Sequence, residues 1–233
     1  MDNSGRIDLH THSFLSDGNL LPSEMLRRAE ALGYAALAIT DHADGSNLED
    51  IVKQLVRLYR DGATGFQVTF IPGVELTHVP PAQIAPLAHR AKRLGARLVV
   101  VHGETSVEPV MVGTNRAAIE CPDVDILAHP GFVTEEEAAL AAVRGVFLEL
   151  SARGGHNLTN GHVARVARLT GARLIVNTDT HSPADMLDQA RAWKVALGAG
   201  LSQEEAEAAL VAHPQAALAR ASRVPIHLRG AKR

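Results

Sequence analysis

The sequence predicts an α/β fold: a distorted seven-stranded (β/α)7 barrel with a metal site at the C-terminal ends of its strands. Short apolar runs rich in β-branched residues alternate with longer amphipathic stretches, the pattern of a parallel sheet whose faces are covered by helices. Ionisable residues recur just after those runs: His10 and His12, Asp41 and His42, Glu75, His102, His129, Asp179 and His181. An open doubly wound sheet would also satisfy the alternation. A closed barrel alone brings the ends of many strands to one mouth, and 233 residues are slightly short for eight full βα units.

The elements follow in order. Arg6 to His12 reads as a strand, and Pro22 to Leu32 as a helix with proline in its first turn and Gly33 beyond its last. Tyr34 to Thr40 is a strand, and Asn47 to Tyr59 a helix with Ile51, Leu55 and Leu58 on one side. Val68 to Val74 is a strand that Pro72 should interrupt or end. Gln83 to Leu94 is a helix stopped by Gly95, feeding the apolar strand Ala96 to Val101. Val124 to Ala128 is a short strand, followed by Thr134 and Glu135 to Glu137 as a capping-box helix start. Val146 to Leu150 and Ala172 to Thr178 are strands around a helix at Gly161 to Leu169. Helices at Pro183 to Leu197 and Ser202 to Val211 close the parse, the second with a Ser202/Glu205 capping box.

Composition narrows the function. Hydrophobic residues make up 46%, ample for one core, so residues 1–225 are read as a single domain and 226–233 as a basic C-terminal tail. Aromatic content of 3% disfavours a base-stacking platform, and 23 Lys and Arg against 26 Asp and Glu, a formal charge of -3, make long nucleic acid an unlikely partner. Cys121 is the only cysteine, which excludes an intrachain disulfide. With no signal-like start and no membrane-length apolar run, a cytoplasmic protein without a membrane partner is expected. A homo-oligomer is compatible with all of this.

His10 and His12 share one face of a strand because side chains repeat every two residues, and Asp179 and His181 repeat that spacing later. Any one of these groups has an ordinary alternative, as a core histidine or a loop carboxylate. Asp17 could cap the turn at Gly18, and Glu75 could be a solvated strand end. Jointly the alternatives are much poorer, because if the imidazoles and carboxylates converge without a cation their desolvation and mutual repulsion are difficult to offset.

Asp8-Leu9-His10-Thr11-His12, Ser16-Asp17-Gly18, Ile39-Thr40-Asp41-His42, Pro72-Gly73-Val74-Glu75, Val101-His102-Gly103, Ala128-His129-Pro130-Gly131 and Asn177-Thr178-Asp179-Thr180-His181 resemble the motifs of the PHP (polymerase and histidinol phosphatase) family, most closely its small stand-alone phosphoesterase-like members. The resemblance spans almost the whole chain and implies three divalent ions: zinc, manganese or iron. It places His10, His12, Asp179 and the shared Glu75 on one ion, Glu75, His102 and His129 on a second, and Asp17, His42 and His181 on a third. Where this chain has Asp17 some members have histidine, and the harder ligand shifts the third position toward manganese or iron.

The reaction so implied is hydrolysis of a small phosphomonoester, histidinol phosphate or a related phosphorylated metabolite, by metal-activated hydroxide. The alternatives are a phosphodiesterase or 3′-5′ exonuclease-like hydrolase and a metal-stabilised non-catalytic binding domain. Asp41 is expected to orient His42 or His10, and Glu104 to relay a proton. Arg153 and Arg116 are candidates to hold phosphate, and His156 to donate to it or act as acid. Either arginine could instead be a surface ion pair. His78, His89, His162, His213 and His227 lie off the strand-end pattern.

Overall fold

A computed structural model describes residues 5–222; the basic tail expected at 226–233 lies outside them. Seven parallel strand positions follow one another in the order β1 (Arg6–Asp8), β2 (Tyr34–Ile39), β4 (Thr69–Leu76), β5 (Leu98–His102), β6 (Ile126–Ala128), β7 (Phe147–Ser151) and β8 (Leu174–Asn177). The two-residue β3 (His42–Ala43) resumes the line of β2 and pairs His42 with Glu75 on β4. A bridge between Thr11 and Thr180 brings the last strand back to the first, with His12 N donating to Thr180 O at 2.8 Å and Asp179 N to His10 O at 3.0 Å. The expected distorted seven-stranded barrel is therefore present, nearly closed, with its seam at the two motifs that opened and ended the ligand series.

Alternation along the strands sorts the interior. Ile71, Leu98, Val100, Ile126, Phe147 and Ile175 pack together inside, and the residues that continue those faces upward are Glu75, His102, Glu149 and Asn177. The intervening side chains, such as Val99, Val101, Leu148 and Val176, face the surrounding helices and form the larger apolar layer. That layer takes in Met25 and Leu26 of α1 (Pro22–Ala31), Ile51 and Leu55 of α2 (Leu48–Arg57), and Ile84 and Ala88 of α3 (Pro81–Leu94). The barrel floor is closed by Ala217 and Ala221 of the last helix, which join the interior cluster. Apolar floor and ionisable mouth are thus two ends of the same period-two pattern.

Several expectations are corrected. Pro72 does not interrupt β4; it pairs with Ile39, and its carbonyl accepts from Arg97 N at 2.8 Å, ahead of the β4–β5 ladder that starts at Gly73 and Leu98. Its missing N–H therefore costs no ladder bond. α4 (Thr114–Glu120) was not legible in the sequence. α5 (Glu135–Arg144) has its capping box at Thr134 and Glu137, and α6 spans Asn160–Thr170. The helix expected from Pro183 splits into a 3-10 turn at Pro183–Asp185 and α7 (Gln189–Gly198), because Met186 and Leu187 are buried in extended chain and Tyr34 Oη donates to Leu187 O at 2.7 Å. α8 (Gln203–Glu207), capped by Ser202, runs through a π turn into α9 (His213–Ser222), past the expected end at Val211.

Candidate metal centre

The barrel mouth gathers the strand-end residues into one site. His10, His12, Glu75, His102, His129 and Asp179 are all buried, and groups able to hold a cation are His10/His12/Asp179, His12/Asp17/His42/His181 and His102/His129/His156. Glu75 is central: its Oε1 lies 3.4 Å from His10 Nε2 and 3.7 Å from His129 Nε2, and its Oε2 lies 3.6 Å from His12 Nε2 and 2.7 Å from His42 Nδ1. Asp179 Oδ1 lies 3.3 Å from His12 Nε2 and 3.8 Å from His10 Nε2. Asp17 Oδ1 lies 3.2 Å from His181 Nε2 and 3.5 Å from His42 Nε2.

Those distances test whether the residues fit metal ions. Two ligands each about 2.1 Å from a tetrahedral ion lie about 3.4 Å apart, which is close to every one of these separations except the 2.7 Å between Glu75 Oε2 and His42 Nδ1, a hydrogen-bond distance. Among the described residues, His10 Nε2, both ring nitrogens of His12 and Glu75 Oε1 are buried without a hydrogen-bond partner. Leaving such atoms unmet costs about 1–3 kcal/mol each. A cation removes the cost at every metal-facing atom together.

Backbone departures aim two of the candidate ligands. His129 and Asp179 have φ of 27° and 52°, in the left-handed region that non-glycine residues seldom enter. At His129 the turn is needed because Ala128 already points into the barrel. Two glycines permit close approach. A Cβ on Gly18 would fall 2.1 Å from His12 O, and one on Gly103 would fall 2.3 Å from Ala128 O. Gly18 lets the loop carrying Asp17 sit against β1's extension, and Gly103 lets the chain after His102 pass beside His129.

Hydrogen bonds orient the rings. His10 Nδ1 lies 2.8 Å from Glu149 Oε1, His102 Nδ1 is 3.2 Å from Gly103 O, and His181 Nδ1 is 2.9 Å from Asp179 O. Each leaves Nε2 toward the site. Glu149 is held in turn by Asn177 Nδ2 at 2.8 Å and His129 N at 3.1 Å. Sequence reading missed Glu149; the available signal was a carboxylate inside the apolar strand Phe147–Ser151. It also missed Glu108, whose surface loop gives no signal.

Electrostatics separate the groups. Burial pushes the Glu75 carboxyl up, but His10 and His42 outweigh it and hold it well below the usual range. Burial lowers the His42 imidazole, yet Glu75 and Asp17 lift it to about 10. Burial raises the Asp179 carboxyl to about 7 against the pull of His10. Burial and neighbouring imidazoles keep His12 and His129 far below the normal histidine value.

The candidate catalytic residues take distinct places. Asp41 accepts from Ser13 N and Ser13 Oγ, both at 2.7 Å, and from Ser16 Oγ at 2.8 Å. It steadies the loop leading to Asp17 rather than orienting His42 or His10. Glu104 faces away from the mouth, accepting from Gly113 N at 2.9 Å and Asn115 N at 3.0 Å, and so clamps a loop. Arg153 lines the mouth, with Nη1 donating to Asp179 O at 3.3 Å. Arg116 lies outside, paired with Glu120 and Glu136. His156 stacks on His129 at 4.1 Å, and burial drops its imidazole to about 4, so it is neutral near pH 7 and unsuited as a standing acid. The mouth is a cavity of about 430 Å³ lined by Arg153 with Asp17, His42, His102, His129, Asp179 and His181, while His10, His12 and Glu75 lie beneath it.

The PHP domain family matches residues 8–116. An uncharacterized protein of Methanocaldococcus jannaschii is 48% identical over 92% of this chain and 99% of its own length. The DNA polymerase/3′-5′ exonuclease PolX of Bacillus subtilis is 26% identical over 84% of the chain, which spans 37% of that protein. Ribonuclease P protein component 3 of Methanosarcina barkeri is 25% identical, covering 91% of this chain and 89% of its own. Among solved structures, archaeal ribonuclease P with mature tRNA contains a chain superposing with a TM-score of 0.67 at 15% identity, over 97% of this chain and 99% of that one. Histidinol phosphate phosphatase of Lactococcus lactis, with zinc, L-histidinol and phosphate, superposes at 0.57 and 15% identity, over 84% of this chain and 94% of its own. These two likenesses show the fold. The relatives overturn the charge-based exclusion of long nucleic acid. A net charge of -3 averages the whole surface, whereas phosphate contact depends on the local field at the mouth. No described helix is long and apolar enough to cross a membrane.

Proposed function

The chain belongs to the PHP domain family, and from its site we propose that it is a metal-dependent phosphoester hydrolase acting on nucleic-acid-type phosphodiesters, as an exonuclease does. The observation that carries this reading is the convergence of the strand-end imidazoles and Asp179 around Glu75, several with unmet buried donor atoms, beneath a solvent-open cavity that Asp179 and Arg153 line. His10, His12, Asp179 and Glu75 would hold one ion, Glu75, His102 and His129 a second, and Asp17, His42 and His181 a third. Ions there would acidify water and draw charge from phosphoryl oxygens.

The chain's own groups supply the rest. Arg153 is half-buried at the mouth and can take phosphate oxygens with its guanidinium fork. Glu149 fixes the His10 tautomer, and Asp41 fixes the approach of Asp17. A small-metabolite phosphomonoesterase has the same metal chemistry. The exonuclease relative supports the diester reading.

A second reading has its own support: the chain in the archaeal ribonuclease P structure, superposing over almost the full length, favours an RNA-bound component of an assembly. Metal-loaded protein should be assayed against end-labelled single-stranded DNA and RNA, bis-p-nitrophenyl phosphate and p-nitrophenyl phosphate. Release of mononucleotides is the expected result. Turnover of the monoester alone restores the phosphomonoesterase, and RNA binding with no hydrolysis at full metal occupancy establishes the second reading.

A further inference from the structure

Three imidazoles, His78, His102 and His156, converge on a second carboxylate, Glu108. Glu108 Oε2 lies 3.0 Å from His102 Nε2 and 3.1 Å from His78 Nε2, and its Oε1 lies 3.4 Å from His156 Nε2. His78, His102 and Glu108 are close enough to share a cation, as are His102, His129 and His156. His102 has one nitrogen for both groups, because its Nδ1 faces the Gly103 carbonyl at 3.2 Å. One imidazole nitrogen holds one ion, so the two groups are overlapping surroundings of whatever ion His102 holds, and Glu108 is the carboxylate that one of them adds. His156 is turned toward it in the same way, its Nδ1 lying 2.8 Å from Thr105 Oγ1.

Glu108 differs from the other donors in being 37% exposed on the side-chain scale, against 3% for His102. It rides the loop between β5 and α4. That loop is pinned at one end by Gly103 against Ala128 and at the other by Glu104 on the Gly113 and Asn115 amides. Its middle, with Val107, Met111 and Val112, is exposed. A carboxylate has two anionic oxygens, and so offers the imidazoles and a cation the same chemistry as two oxygens of a phosphate. It stands in the cavity where such a group must enter.

Resting on the metal-dependent reading above, we propose that Glu108 is an exchangeable ligand of the ion held by His102, carried in by its loop and displaced by a substrate phosphate oxygen. In the exchange one carboxylate oxygen leaves the ion and one phosphate oxygen takes its place. The loop is released as substrate binds. His78 then keeps the freed carboxylate beside the mouth.

The test is a Co2+ titration of the metal-free full chain, followed by inorganic phosphate, for the unaltered protein, Glu108→Ala and the isosteric Glu108→Gln. In both variants one Co2+ should bind at least about tenfold more weakly, since even outer-shell changes cost that much, and its visible absorption should change. Phosphate should bind the Co2+-saturated variants severalfold more tightly, because no carboxylate has to leave. Unchanged Co2+ and phosphate affinities overturn the proposal. Weaker Co2+ with unchanged phosphate affinity also overturns it, by making Glu108 a permanent ligand. Failure of the unaltered, folded protein to take up Co2+ overturns the metal reading itself, a separate outcome.

Discussion

The deep ring and the outer rim of the mouth are built from the same residue types but held in different ways. His10, His12, Glu75 and Asp179 sit at the closure of the barrel, essentially without solvent contact, and His10 is locked by Glu149. Asp17, His42, Glu108 and Arg153 come from loops and β3 and are partly exposed. A buried donor set is preorganised and cannot satisfy itself with water, so it binds an ion persistently. A rim donor has water as an alternative partner and can be exchanged. On the proposed metal-dependent reading, the ring would retain the ions and the rim would handle substrate.

The largest effect should come from Glu75→Ala, which removes the one carboxylate among the described residues lying within 3.7 Å of ring nitrogens of all four of His10, His12, His42 and His129. Metal content should drop by more than one ion, and turnover by on the order of a thousandfold or more, since metal stabilisation of the transition state is worth several kcal/mol. Full metal content in this variant would break the ring–rim distinction. Next is Glu149→Gln, which keeps shape but weakens the hold on His10 Nδ1. It should reduce metal affinity by roughly 10–100-fold, measured by competition with a chelator. Asp17→Ala should lose one ion while the ring keeps its own, and elemental analysis would show it. Loss of every ion would make the rim as structural as the ring.

A pH measurement sharpens the comparison further. In the metal-free protein His42 titrates at about 10 and Asp179 at about 7, so both carry protons to a substantial extent near neutrality. Metal uptake must displace them. Apparent affinity should therefore fall on acidification, and calorimetry in two buffers of different ionisation heat should show proton release. The contribution of His42 to the stability of the metal-free protein moves the other way. His42 is raised above its unfolded value of 6.5, so its contribution is complete below that pH and is lost as pH rises through about 10. The smallest effect is expected from His89→Ala, an exposed histidine paired with Asp123. Turnover and melting temperature should stay close to those of the unaltered protein.

Legibility from sequence followed the range of the interaction. The capping boxes of Thr134 and Ser202, the Gly95 helix stop and most strands rest on local propensities and were readable directly. Pro72 misled because its place relative to the β5 ladder depends on a strand met later in the chain. The helix expected from Pro183 failed because burial of Met186 and Leu187, with the bond from Tyr34, overrides local helix preference. Glu149 lay in plain view as a carboxylate in an apolar strand, whereas Glu108 and the reassignment of Asp41 and Glu104 required knowing which loops meet.

By itself the sequence determined the βα alternation and which ionisable residues end the strands, since a period of two and helix caps are set by neighbours along the chain. Tertiary structure alone decided that these ends form one centre. Closure between Thr11 and Thr180 sets the distances from His10 and His12 to Asp179. The left-handed turns at His129 and Asp179 are tolerated because the closed barrel holds them there. Contact between residues remote in sequence depends on register and loop packing, and no local preference encodes either.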